Sequence, residues 1–274
     1  MSRREKKKKN AERRVIYYTD ELHDEFSTAV IEAKPIDGGY RYDRDRGFSR
    51  LLCFFWYRIV AVPAAFLYLK LKFHHRVKGK EKLKETRKTG RFFFGNHTQI
   101  IGDALIPSFV CGGRKPFVIV HPNNVSMPYL GRITPYLGAI PLPDDMAATR
   151  NFVRIIEQRI AEKRTVVIYP EAHIWPYYTG IRPFTDDSFL YAARLNAPVY
   201  CFTNVYKKRR NPQKVRIESH IDGPFYPDPS LSPRARRKDL RDRVYAAMTA
   251  RAKESDVSLI EYRKEGEESS PEHQ

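Results

Sequence analysis

The stretch RFFFGNHTQIIGDA, residues 91–104, joins a run of three phenylalanines to a His and an Asp through a glycine-containing turn. Its first half reads as a strand buried on both faces. A short apolar run closed by glycine suits the centre of a parallel sheet. The second half puts His97 directly after that strand, where open α/β sheets present their chemistry. An imidazole can take a proton from a hydroxyl near neutral pH, and a carboxylate on its other nitrogen fixes the tautomer. His97 and Asp103 would stand about 120° apart around a straight helix. They can pair only if the chain turns between them, and Gly102 permits such a turn. On these residues alone, a solvent-facing loop histidine and a catalytic base are equally open.

Outward from this stretch, strands alternate with helices. KPFVIVH (115–121), TVVIYPE (165–171), PVYCFTNV (198–205) and KVRIESHI (214–221) read as strands, and GAIPL (138–142) as a short strand or edge segment. Helices are expected over 102–110, 186–195 and 233–253. Another falls within residues 144–163, where an Asp N-cap precedes Phe152, Ile155, Ile156 and Ile160 on one face. This alternation predicts an α/β fold with a central, mostly parallel sheet covered by helices and functional residues in loops past the strand C-termini.

The 50 Lys and Arg against 32 Asp and Glu leave a formal charge of +18, which attracts an anion: phospholipid headgroups, nucleic acid, an acidic carrier or a phosphorylated substrate. Residues 51–69, LLCFFWYRIVAVPAAFLYL, are almost wholly apolar, but Arg58 and Pro63 interrupt them and a basic flank follows, including Lys70, Lys72, His74, His75 and Arg76. Arg58 is expensive at mid-bilayer and Pro63 kinks a helix. A helix or kinked helical pair lying in one leaflet, with cations reaching lipid phosphates, is therefore the reading, ahead of a single span or a buried core helix. The aromatics concentrate in the strands and this segment rather than among exposed lysines, which favours lipid over nucleic acid. Cys53, Cys111 and Cys201 form no CxxC pair, so neither a disulfide framework nor a zinc knuckle is indicated, and a reducing cytosolic setting fits.

The chain divides as a basic arm and linker (1–49), a membrane-associating helical element (50–74), an α/β domain (75–260) and a flexible tail (261–274). The basic run over the first fourteen residues reads as solvated, and residues 20–49, punctuated by Pro35, Gly38, Gly39 and Gly47, as loosely packed.

A second candidate site is VVIYPEAH, residues 166–173, where Glu171 follows a buried strand and His173 lies close by. An acceptor-binding carboxylate and a capping carboxylate are both open here. No local pair such as HExxH supports a metal site. The chain has no GxSxG elbow, GxGxxG or GxxxxGK[ST], which removes an acyl-serine nucleophile and the standard nucleotide folds. Direct transfer to a hydroxyl, assisted by a base, is the chemistry left.

These blocks resemble the glycerolipid acyltransferase family, the PlsC-like 1-acylglycerol-3-phosphate O-acyltransferases. Asn96 and His97 match its Asn-His-x-x-x-x-Asp block, Gly138 and Ile140 its second block, Tyr169, Pro170 and Glu171 its Phe-Pro-Glu-Gly-Thr-Arg block, and Pro198 with Val199 its fourth. The resemblance spans roughly residues 75–225, with the family's membrane element similar to residues 50–73. It implies a fatty acyl transfer from acyl carrier protein (acyl-ACP) or acyl-CoA to the hydroxyl of a lysophospholipid-type acceptor, with no permanently bound cofactor or metal, at the cytoplasmic face of the cell membrane. His97 becomes the base and Asp103 its partner. Glu171, His173, Arg182 and Arg132 are assigned to the acceptor, and Asn96, Thr98 and Ala172 to oxyanion or loop support. The chain departs from the pattern in three places. Five residues rather than four separate His97 from Asp103. Ala172, His173 and Ile174 replace Gly, Thr and Arg, and Pro143 and Asp144 stand where a basic residue is expected. An acyltransferase for a non-phosphorylated lipid or polyol, and a non-catalytic lipid-binding relative, are the alternatives.

Overall fold

A computed structural model describes residues 14–27, 31–211 and 214–266. In chain order its strands are β1 (Arg14–Tyr18), β2 (Arg76–Lys78), β3 (Arg91–Gly95), β4 (Pro116–Val120), β5 (Ala139–Pro141), β6 (Thr165–Ile168), β7 (Val199–Lys208), β8 (Val215–Phe225) and β9 (Ile260–Lys264). The helices are α1 (Phe48–Phe73), α2 (Gly102–Leu105), α3 (Pro107–Val110), α4 (Asn123–Ser126), α5 (Leu130–Leu137), α6 (Met146–Ala161), α7 (Leu190–Arg194) and α8 (Pro233–Ala252). A seven-stranded sheet runs β2-β8-β7-β3-β6-β4-β5, parallel throughout except between β7 and β8.

RFFFG is the central strand, wholly buried, with β7 on one side and β6 on the other. Its alternation sends Phe92 and Phe94 to one face, packed with Phe152, Ile156, Leu240 and Val244 of α6 and α8, and Phe93 to the other, with Leu69, Phe73, Ile106 and Val110. Asp145 caps α6, its Oδ1 accepting the Ala148 amide at 2.6 Å. Pro107 divides the helix expected over 102–110 into α2 and α3.

The apolar segment is one helix of 26 residues, α1, rather than a kinked pair. A π-helical stretch, Phe55–Ala61, lies just before Pro63 and widens the turns whose carbonyls a proline leaves without a donor. The C-terminal part of α1 is anchored through buried Ala65, Leu69 and Phe73, while Phe48, Leu51, Phe54, Phe55, Ile59, Phe66, Leu67 and Leu71 are exposed. Arg58 donates to the Gly113 carbonyl at 2.7 Å, which accounts for one cation inside an apolar run.

Both ends of the domain differ from the sequence expectation. Residues 14–18 pair in parallel with residues 260–264, so the expected tail begins after a strand. Trp175 stacks on Tyr262 and packs against Tyr18 and Phe26, and this aromatic cluster holds the N-terminal arm against the domain. Further along, Ile36 is buried and its amide donates to Asp144 Oδ2 at 2.6 Å, so residues 31–47 are not a loose linker. The glycines and prolines there mark turns of a packed arm. The basic run at 1–13 and the tail from 267 onward lie outside the described residues.

Candidate active site

The C-terminal ends of β3 and β6 lie side by side, and the loops leaving them interlock. Trp175 and Tyr177 amides donate to the His97 and Thr98 carbonyls at 3.2 and 2.9 Å. At the centre, His97 Nδ1 lies 2.9 Å from Asp103 Oδ2. The His97 side chain is 17% exposed against 2% for Asp103, so the ring has an open edge while its partner is dry. No hydrogen bond occupies His97 Nε2 among the described residues.

The extra residue between His97 and Asp103 is accommodated in the turn. Gln99 turns its amide onto Asp103 Oδ2 at 2.8 Å, and the Asp103 amide donates back to the Gln99 carbonyl at 3.1 Å. Gly102 makes this closure possible, because a Cβ there would stand 2.9 Å from Gln99 Cβ. Ile100 and Ile101 form the apex, each 53% exposed. Burial raises the Asp103 carboxyl above its ordinary range, opposed by the hydrogen bonds from His97 and the turn amides.

Tyr169 stacks on the His97 ring at 4.5 Å and donates its hydroxyl to the Asp103 carbonyl at 2.5 Å. The phenol is partly buried and held well above its ordinary pKa, so it stays a neutral donor that fixes the imidazole plane. Asn96 is buried, and its side chain brackets the backbone of Asn204 on β7, donating to its carbonyl at 3.1 Å and accepting from its amide at 2.8 Å. Thr98 Oγ1 accepts the Tyr206 hydroxyl at 2.8 Å. Both Asn96 and Thr98 therefore support the loop. Ala172 does so by its backbone, with φ +62° at the turn after Glu171.

The residues assigned to the acceptor divide sharply. Arg182 is buried at 1% exposure, with its guanidinium over Trp175 and donating to the carbonyls of Glu21, Glu171 and His173. That contradicts its assignment to an acceptor phosphate. It instead ties the arm to the 169–174 loop, taking on a structural role beside Ile174, the residue that replaces the family's arginine. Glu171 is also buried, 3.5 Å from Arg182 Nε, and its Oε2 lies 3.5 Å from the His97 amide. Burial pushes its carboxyl up to about 7, against the opposing pull of Arg182 and His97. This carboxyl underpins His97 and is not displayed to solvent. His173 is partly exposed and occupied by Glu25 at 3.2 Å. Arg132 is exposed on α5, with no hydrogen bond or ion pair from its side chain among the described residues. No group of three or more His, Cys, Asp or Glu side chains converges on a metal position among the described residues.

Sequence reasoning did not single out Asn204, whose Nδ2 donates to Asp103 Oδ1 at 3.4 Å. An amide among the inward positions Phe202 and Tyr206 of a buried strand was the available signal.

Residues 74–204 match the family model described as Acyltransferase. The fold is similar to a crystal structure of the 1-acyl-sn-glycerophosphate (LPA) acyltransferase, PlsC, from Thermotoga maritima, at TM-score 0.52 and 17% identity, covering 72% of this chain and 79% of that one. A comparison with curated proteins finds no match. Residues 74–204 therefore carry an Acyltransferase domain, and the fold around it is similar to that of the PlsC enzyme.

Proposed function

We propose that the enzyme moves a fatty acyl chain from acyl-ACP or acyl-CoA to the hydroxyl of a lysophospholipid-type acceptor such as 1-acylglycerol 3-phosphate, with His97 as general base. The observation that carries this reading is the His97–Asp103 pair, with Nδ1 engaged and Nε2 open. Nε2 takes the acceptor hydroxyl's proton as its oxygen attacks the thioester carbonyl. The tetrahedral intermediate collapses, the C–S bond breaks, and the imidazolium returns the proton to the departing thiolate. Asp103 holds the Nδ1–H tautomer and stabilises the transient imidazolium, as the acid of a Ser-His-Asp triad does. Glu171, with Arg182, supports the loop on which His97 sits.

A second acceptor class has its own support. Ile174 stands where the family places an arginine, and Arg182 is committed to backbone carbonyls, so a non-phosphorylated lipid or polyol is the alternative. Arg132, exposed and unengaged, is the phosphate ligand if the acceptor is phosphorylated. The exposed apolar surface of α1 would lie in the lipid headgroup region, with the basic flank on lipid phosphates. This reading puts the enzyme at the cytoplasmic face of the membrane, where thioester donors are made. An acceptor screen decides between the two classes: each donor is offered 1-acylglycerol 3-phosphate and monoacylglycerol, and labelled product is separated. Transfer to the phosphorylated acceptor supports the first reading, and transfer only to monoacylglycerol supports the second. No transfer by either donor rejects both in favour of a non-catalytic relative.

A further inference from the structure

The inward face of β7 carries Phe202, Asn204 and Tyr206, and that of β8 carries Ile217, Ser219 and Ile221. Asn204 and Ser219 are thus one polar pair inside an apolar column, directly opposite each other in the antiparallel register. Both are buried, at 2% and 0% exposure. Polar groups in such a place are retained only when their hydrogen bonds are made. The bonds here are made in one direction. Ser219 Oγ donates to Asn204 Oδ1 at 2.6 Å, and Asn204 Nδ2 donates to Asp103 Oδ1 at 3.4 Å. His75 Nε2 lies 2.8 Å from Ser219 Oγ, whose proton is already committed to Asn204, so the imidazole is the donor. Burial lowers the His75 pKa to about 4, leaving a neutral ring that carries its proton on Nε2.

We propose that His75, Ser219 and Asn204 form a row of positioning residues that aims donors at Asp103 and fixes the carboxylate on His97. The inference rests on His97 acting as the base. Asn96 already secures the Asn204 backbone, so the Asn204 side chain is not needed to join β3 to β7. The opposite amide orientation would point Asn204 Oδ1 at the carboxylate and leave Ser219 facing a donor, so an ionised Asp103 selects the orientation seen. The far end of the row is also fixed. The His75 amide donates to the Leu69 carbonyl at 3.1 Å, and His74 adopts φ 47°, closing the C-terminus of α1. The row therefore runs from the end of the apolar helix to the catalytic dyad across three adjacent strands, with the Val77–Ser219 and Ser219–Asn204 registers setting its spacing.

The test uses the full-length enzyme and Ser219→Ala, which removes one oxygen from the row, with Ser219→Thr as the rescue. Asn204→Ala breaks the link nearer Asp103. Two readouts are taken: steady-state kinetics, and the far-downfield proton resonance of His97 Nδ1 bonded to Asp103, assigned by its absence in His97→Ala. A Ser219→Ala enzyme with wild-type melting behaviour should lose kcat about 10- to 100-fold, the scale of a small misplacement of a catalytic group, with KM for both substrates little changed. Its downfield resonance should shift or broaden, and Ser219→Thr should restore both. Unchanged kcat and an unchanged resonance in folded Ser219→Ala and Asn204→Ala would overturn the proposal, as would a kcat loss that Ser219→Thr does not repair. The resonance needs no substrate. If His97→Ala keeps full transfer, the base assignment fails while the geometry of the row is still read independently.

Discussion

Replacing Gly102 by Ala tests how the enlarged His97–Asp103 interval keeps its dyad. The added Cβ would stand 2.9 Å from Gln99 Cβ and 3.3 Å from its Cγ. Ordinary carbon–carbon contact begins near 3.5 Å, so Gln99 must retreat by about 0.6 Å. Gln99 is pinned at both ends, its amide 2.8 Å from Asp103 Oδ2 and its Nε2 2.9 Å from the Tyr206 hydroxyl. The retreat therefore passes into the 2.9 Å His97–Asp103 contact. Overpacking of this kind costs about 1–3 kcal/mol. Alanine in place of glycine recovers about 0.5–1 kcal/mol, so the net loss of stability is about 0–2.5 kcal/mol. Activity should suffer more than stability, with kcat falling about 10- to 100-fold through misorientation of the base. Transfer of a radiolabelled acyl chain and thermal unfolding, measured on the same preparation, separate the two effects. Adding Tyr206→Phe frees the Gln99 side chain and should recover part of the activity. A Gly102→Ala enzyme with wild-type kcat would refute the close approach at Gly102 as the device that absorbs the insertion.

Three further outcomes follow from the buried loop and the apolar helix. Arg182→Met leaves the buried Glu171 without its cation and strips donors from three carbonyls, so chemical denaturation at about pH 8, where that carboxyl is ionised, should show a loss of about 3–5 kcal/mol. The Glu171 carboxyl, raised to about 7 in the fold, keeps its proton while the unfolded chain loses it near 4.5. Wild-type stability should therefore fall as pH rises from about 4.5 to 7, by about 3 kcal/mol in total, and then level off. Denaturation of Glu171→Gln across this range should lack that slope, and a parallel slope in both proteins would contradict the raised carboxyl. Leu67 and Leu71 are more than half exposed on α1, so a double change to Asp should leave the fold intact. It should weaken pelleting with vesicles containing phosphatidylglycerol by 100-fold or more, since each leucine contributes about 1.5–3 kcal/mol on burial.

The sheet was legible in the sequence because its strands are short apolar runs ended by Gly, Pro or charge. RFFFG, KPFVIVH and TVVIYPE all became core strands. The position of His97 followed from being next to such a run. What the sequence concealed was set by distant partners. Nothing in RVIYY or IEYRK announces that they pair across the length of the chain, and the Trp175 cluster that joins them draws aromatics from separate segments. The assignment of Arg182 to the acceptor failed because its acceptor carbonyls come from two separate segments, Glu21 in the N-terminal arm and Glu171 and His173 in the loop after β6. Pro63 suggested a kink because sequence patterns do not show a π-helical stretch able to absorb it. Asp103 was uncertain on spacing alone, and its pairing rests on Gln99 and Gly102, whose roles appear only once the turn closes.

On the proposed mechanism, His97 Nε2 removes the acceptor proton. The decisive measurement is transfer from labelled acyl-ACP or acyl-CoA to 1-acylglycerol 3-phosphate by wild type and by a folded, vesicle-bound His97→Ala enzyme. The rate should fall by about 10²–10⁴-fold, the contribution of a positioned general base, while vesicle binding stays at the wild-type level. Transfer at the wild-type rate by His97→Ala would contradict it.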